Sequence, residues 1–278
     1  AVLFMPARLG ARRWIDIGGF NFQPSEIAKL AVILVLARFF SSHRPEHLSK
    51  DRLALPFLIV GIPFLLILRE PDLGTGLILL PVFFSMLYLW GFDRKALALI
   101  AGAGILLSPV FFLFLKEYQR ARLMVFMNPN LDPLGAGYTI IQSKIAIGSG
   151  GWWGKGFMSG TQNHLKFLPE RHTDFIFGVI GEEGGFIASA LVVILFCVIV
   201  RRGYQICAQT SDRFGSQLAC GITTMLGLQA FINLGMTMGL LPVVGVPLPL
   251  VSYGGTSVVL TMLAIGVLIN IKVHRSLF

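Results

Sequence analysis

The chain has 278 residues, 55% of them hydrophobic and only 13% charged, with a mean hydropathy of +0.75 and a formal net charge of +9. That balance excludes an ordinary soluble domain. The positive charge does not point to nucleic acid either, because Lys and Arg fall in the breaks between apolar runs and form no basic arm or aromatic–basic module.

In chain order the apolar runs predict spans at roughly 26–40, 53–68, 73–90, 96–115, 174–200, 217–240 and 256–271. A bilayer needs about 20 residues of helix, and backbone amides have no water partners in lipid, so each span is expected to be helical. The runs do not alternate in polarity as barrel strands would. The expected class is therefore all-α, a polytopic membrane helical bundle with about seven transmembrane helices. It forms one membrane domain over 1–278, with a long structured extracytoplasmic loop at about 116–173.

The basic residues orient the chain. With the C-terminus cytoplasmic, the pieces 41–52, 91–95, 201–216 and 272–278 hold Arg44, Lys50, Arg52, Arg94, Lys95, Arg201, Arg202, Arg213, Lys272 and Arg275. The short opposite loops 69–72 and 241–255 hold only Arg69, the asymmetry of the positive-inside rule. An odd number of spans then places the basic "ARLGARR" outside, where it is disfavoured, so further spans are expected to precede residue 1. Cys197, Cys207 and Cys220 lie in spans or on the cytoplasmic side and offer no external disulfide framework.

Between spans, "GAGYTIIQSKIAIGSGG" predicts a short helix at 138–147 stopped by glycines. The Gly- and aromatic-rich stretch to Asp174 predicts a partly re-entrant cap over a site on the outer face. Three prolines in "GLLPVVGVPLPLVSYGG" (239–255) cannot continue a straight helix and are expected to fold back at the same face.

Polar residues stand out against this background. Glu26 and Lys29 are three apart on one helix, as an ion pair or as a cation for an anionic ligand. Asp72 follows Arg69 and Glu70 at a short turn, where it also suits helix-start chemistry. Arg12, Arg13 and Trp14 adjoin an interface, where Trp anchors are common. Asp174 stands where a loop becomes a helix and also fits a cap. His164 and His172, with Glu170 and Asp174, offer oxygen and nitrogen donors, although no motif has metal-ligand spacing. Glu182 and Glu183 lie inside the apolar run, and ionisable groups at such depth usually face a cavity or a protein interior. Acids and cations near the outer span ends suit an anionic, lipid-linked substrate, for an enzyme or a transporter alike.

The motifs "GARRWIDIGGFNFQPSEIAKLA", "EPDLGTG", "DPLGAGYTIIQSKIAIGSGGWWGKGFMSGTQ", "FLPERHTDFIFGVIGEEGG" and "LPVVGVPLPLVSYGGTS" resemble the SEDS family (shape, elongation, division and sporulation), which includes RodA and FtsW. They run from near residue 10 to near residue 257, and "KGFMSGTQ" is more similar to the RodA branch. The likeness implies the last seven spans of a ten-span fold. Gly185 departs from the Leu or Tyr usual at its position.

What the resemblance implies is a peptidoglycan glycosyltransferase that polymerises lipid II during cell elongation and shape maintenance, releasing undecaprenyl diphosphate. It implies Asp174 as the catalytic acid, and Trp14 as the functional Trp of the "RW" motif, beside Arg13. Glu26, Lys29 and Asp72 fall on positions lining the family's central cavity. Lys155, Glu170 and His172 lie within the matching loop motifs and are expected at the substrate. The likeness further implies a divalent cation (Mg2+ or Mn2+) with ligands unspecified. It also implies a class B penicillin-binding protein transpeptidase as partner, with other elongation-complex proteins, and a site facing outward from the bacterial inner membrane. The alternatives are a lipid II flippase, an FtsW-like division polymerase, an O-antigen-ligase-like enzyme and a wall-machinery scaffold.

Overall fold

A computed structural model describes residues 14–17, 20–43, 50–70, 72–115, 117–133, 135, 137–164, 167–170 and 172–274. Seven long helices stand where the apolar runs put them: α1 (Pro24–Ser42), α2 (Lys50–Arg69), α3 (Leu73–Trp90), α4 (Arg94–Phe114), α8 (Ile176–Gln209), α9 (Arg213–Thr237) and α10 (Gly255–His274). Between α4 and α8 come α5 (Glu117–Met127), a 3-10 turn (Pro129–Leu131), α6 (Tyr138–Ser149) and α7 (Thr161–His164). Among the described residues α3, α8, α9 and α10 are long and apolar enough to cross a membrane. Proline inside α2, α3 and α4 is the tolerance expected of membrane helices.

One addition to the all-helical expectation precedes α1. A two-stranded antiparallel hairpin, β1 (Ile15–Ile17) and β2 (Phe20–Phe22), pairs Ile15 with Phe22 and Ile17 with Phe20. Strands of three residues carry too little alternation to register as a pattern. α5 was likewise unforeseen, because its charged sequence "EYQRARLMVFM" gives no amphipathic signal.

The chain forms two compact bodies: residues 1–97, 198–228 and 254–278, and residues 98–197 and 229–253. In the first, Ile33, Leu36, Ala37 and Phe40 of α1 are buried, as are Ile78, Leu79, Val82 and Met86 of α3 and Ile222 of α9. Gly221 allows the close approach, since a Cβ there would stand 2.7 Å from Ile33 and 2.8 Å from Met86. α3 is punctuated by Asp72, which caps its start, and by Gly91 at φ 97°, whose N–H closes its end on Leu87 and Tyr88. In the second body α6 packs on α8, and Ser143 Oγ donates to Thr237 O at 2.8 Å, tying α6 to the last turn of α9. α9 stops at Thr237, and the proline-rich segment after it is irregular, as expected.

Candidate functional site

In the first body the polar side chains near the start of α1 form two buried groups. Lys29 Nζ donates to Glu26 Oε1 at 2.6 Å, one helical turn away, and both side chains are almost fully buried. Asp72 collects donors from two segments. Its Oδ2 accepts from Thr75 Oγ1 at 2.8 Å, from Ser25 Oγ at 3.1 Å and from Gln23 Nε2 at 3.1 Å, and its Oδ1 accepts from Thr75 N at 3.2 Å. Asp72 is thus both the cap of α3 and the link from α3 to α1. Gln23 N also donates to Thr256 Oγ1 of α10 at 3.4 Å. Trp14 is exposed just before the hairpin. Arg13, like Arg12, lies outside the described residues.

In the second body the structure builds the surroundings of Asp174 from main-chain anchors. Glu170, in the left-handed region at φ 49°, turns the chain, and its carbonyl accepts from Thr173 N at 3.1 Å and Phe175 N at 3.2 Å. Thr173 Oγ1 donates to Glu170 Oε2 at 3.1 Å. The proline-rich loop then grips the turn: Tyr253 N donates to His172 O at 2.8 Å, and Ser252 Oγ donates to Thr173 O at 2.6 Å. Asn233 Nδ2 of α9 bridges Asp174 O at 2.9 Å and Val246 O at 2.7 Å. α8 begins at Ile176, two residues later than the sequence suggests, so Asp174 belongs to the turn before the helix. Asp174 is partly exposed, and its carboxylate faces Gly245, where a Cβ would stand 3.4 Å from Oδ2. Gly245 is at φ 72°, so a side chain there would meet both strain and Asp174. Arg122 Nη1 donates to Val243 O of the same loop at 3.2 Å, placing a cation beside it.

Glu182 and Glu183 acquire a definite setting. α8 is broken at Gly185, whose φ of 64° and ψ of −159° suit essentially only glycine. In an unbroken helix the N–H groups of Phe186 and Ile187 would donate to the carbonyls of Glu182 and Glu183. Here they donate to Gly151 O at 2.8 Å and Trp152 O at 3.3 Å, while Glu182 O and Glu183 O accept from Lys155 N and Gly156 N, both at 3.0 Å. The loop after α6 therefore completes the broken helix, amide for amide. Glycine is needed on both sides: a Cβ on Gly154 would collide with Glu183 O, and one on Gly185 would stand 2.8 Å from Trp152 O.

The side chains lock the same junction. Glu182, fully buried, accepts at Oε1 from Lys155 Nζ at 2.7 Å, Thr161 Oγ1 at 3.0 Å and Gln162 N at 3.0 Å. Lys155 Nζ also donates to Thr161 Oγ1 at 2.9 Å, and Glu183 Oε2 accepts from Met158 N at 3.1 Å.

Lys155 is thus engaged with the helix break, Lys29 with Glu26, and Glu170 with the turn that carries Asp174. Asn233, Ser252 and Arg122 escaped the sequence reading. The available signal was the polar Asn233 within the apolar run "AFINLGM". Among the described residues no three His, Cys, Asp or Glu side chains group as metal ligands. They do not make a self-sufficient cation site, and His172 gains no metal setting.

These features define a polytopic helical membrane protein with a structured loop clipped into one broken span and an acid held at that span's mouth. The chain belongs to the FtsW/RodA/SpoVE cell cycle protein family, whose model matches residues 1–277. It is 44% identical over 270 residues to the peptidoglycan glycosyltransferase MrdB of Escherichia coli K12, covering 96% of this chain and 72% of that protein. It is 42% identical over 266 residues to the stage V sporulation protein E of Bacillus subtilis 168, covering 95% and 72%. Among solved structures, a chain from a peptidoglycan synthase complex described as coordinating polymerisation and crosslinking matches at TM-score 0.81 and 33% identity, over 99% of this chain and 77% of that one. The rod shape determining protein RodA of Thermus thermophilus matches at TM-score 0.69 and 27% identity, over 99% and 73%.

Proposed function

We propose that the chain is the membrane domain of a peptidoglycan glycosyltransferase that polymerises lipid II during cell elongation, with Asp174 as proton acceptor. The glycosyltransferase class follows the names of relatives that match nearly the whole chain. The observation that carries the assignment of Asp174 is its setting: Asn233 holds its carbonyl, Tyr253 and Ser252 hold the two preceding positions they reach, and the residue stays partly exposed. A carboxylate on a fixed backbone in a partly exposed residue suits general-base chemistry.

In this reading the 4-hydroxyl of an acceptor GlcNAc attacks C1 of the donor MurNAc. Asp174 takes the hydroxyl proton, and undecaprenyl diphosphate leaves. An α-linked donor giving a β-linked polymer needs one inversion and no covalent carboxylate. Lys29 and Arg13 are the proposed cations for the diphosphate, with Trp14, Glu26 and Asp72 at the substrate. A divalent cation, Mg2+ or Mn2+, would depend on diphosphate oxygens for most of its ligands, as Mg2+ commonly does. A class B penicillin-binding protein is the proposed partner, in keeping with the synthase complex among the similar structures. The proposed orientation places the C-terminus in the cytoplasm and Asp174 outside.

The flippase reading drew on intramembrane acids, and those are occupied: Glu182 and Glu183 hold the loop at the helix break. The test is purified protein with lipid II. Glycan polymer supports the proposal, and translocation in liposomes without polymer refutes it. Topology is checked separately: cysteines introduced at positions 93 and 212 should be protected from an impermeant outside reagent, and one at 160 should react.

A further inference from the structure

The loop clipped into α8 exposes a run of large apolar side chains that the proposed chemistry does not use. Trp152 is 69% exposed, Trp153 82%, Phe157 87% and Met158 65%, within seven residues. A loop in water gains nothing from displaying them. Their surroundings identify what they meet. The Trp152 ring packs edge-on against Phe186 of α8 at 5.1 Å between centroids. Phe186 opens the exposed apolar face of that span, continued by Ile187, Leu191 and Ile194. The patch is therefore continuous with the surface of a membrane-crossing helix.

Its depth follows from the charges. Arg201 and Arg202 end the apolar run of α8. The unbroken part of α8 between Gly185 and Arg201 is 15 residues, about 22 Å of helix against a hydrocarbon core of about 30 Å, so the opposite boundary falls beyond the break, toward Gly181. Glu182, Glu183 and Lys155 then lie at that boundary, and Phe186 lies just within the hydrocarbon. Trp152, seated on Phe186, falls at the level where Trp belts form, with an apolar ring in acyl chains and an N–H among headgroups. The same depth explains how two acids are accommodated beside an apolar run: they mark its edge, where the loop donates to Glu182 Oε1 and Glu183 Oε2, while Glu182 Oε2 is buried without a hydrogen-bond partner among the described residues.

We infer that residues 152–158 are a membrane-docking element, with Trp152, Trp153, Phe157 and Met158 inserted among phospholipids at the outer-leaflet headgroup–acyl boundary. The Gly185 break lets this element sit against α8 with its main chain paired, the condition for irregular backbone at membrane depth. Docking there fixes the height of the loop that leads on to Asp174.

The test uses the protein in nanodiscs containing phosphatidylcholine brominated at shallow or deep acyl positions. The signal is the tryptophan fluorescence removed by Trp152→Phe/Trp153→Phe, with Trp153→Phe alone as a milder variant. That component should be quenched more by shallow than by deep bromines and spared by acrylamide in water. Quenching by acrylamide, or by neither agent because a protein covers the loop, would overturn the inference. So would bromine quenching that excess undecaprenyl phosphate abolishes, which would assign the face to the substrate's tail.

Discussion

Two Lys–Glu pairs of nearly equal length, one buried at both ends and one with its lysine partly exposed, do different work in this molecule. Lys29–Glu26 spans a single helical turn at 2.6 Å. Lys155–Glu182 joins residues 27 apart in sequence at 2.7 Å and closes a loop onto a broken helix. The first pair neutralises charge inside the bundle without fixing any tertiary relation. The second sits among main-chain hydrogen bonds that replace a missing turn of α8. Distance alone therefore does not rank these pairs; what each one joins does. For the same reason a cation in a family motif is not by position alone a substrate ligand, as Lys29, already paired with Glu26, illustrates.

The contrast can be broken in graded steps. The largest expected effect is at the intrahelical pair. Lys29→Met strands a buried carboxylate, and breaking a buried pair typically costs about 3–5 kcal/mol. Glu26→Gln/Lys29→Met together should recover most of that loss, measured by thermal unfolding in detergent. If the double variant also polymerises lipid II normally, Lys29 is not a diphosphate ligand.

Gly185→Ala should come next. Its backbone region costs a non-glycine residue about 1–3 kcal/mol, and the added Cβ crowds Trp152 O. The expected readout is faster hydrogen exchange at Lys155, Gly156, Phe186 and Ile187, with α1 and α3 unchanged. Unchanged exchange at those four amides would show that the loop does not depend on the break. Lys155→Met should do less, about 1.5 kcal/mol at the low end for a hydrogen bond to a charged group, because Lys155 is partly exposed and the main-chain clip remains. Exchange at Gln162 should rise with it, since Gln162 N shares the Glu182 oxygen.

The seven long helices were legible from hydropathy because burial in lipid leaves a signal in every residue of a span. The proline-rich segment and α6 were legible for a similar local reason, through breakers and glycine stops. The hairpin at Ile15–Phe22 was too short to show a period. The purpose of Glu182 and Glu183 was hidden because their partners lie 20 or more residues away and several are backbone amides, which have no sequence identity. Gly185 did stand out as a departure from the family pattern, and its left-handed backbone supplies the reason. Asp174 was found through its motif, whereas Asn233 and Ser252, which hold its neighbourhood in place, act through main-chain oxygens and match no catalytic pattern.

The central claim is that Asp174 is the proton acceptor, positioned by hydrogen bonds to the backbone around it and partly exposed. Asp174→Asn keeps the shape, and none of the anchors from Asn233, Ser252 and Tyr253 uses the carboxylate. Unfolding should therefore shift little while general-base catalysis, usually worth about 10²–10⁴ in rate, is lost. The direct measurement is glycan yield and length from lipid II at matched protein level. Near-complete loss of polymer with unchanged membrane insertion and thermal stability is the predicted result, and polymerisation at the unsubstituted rate would contradict the account.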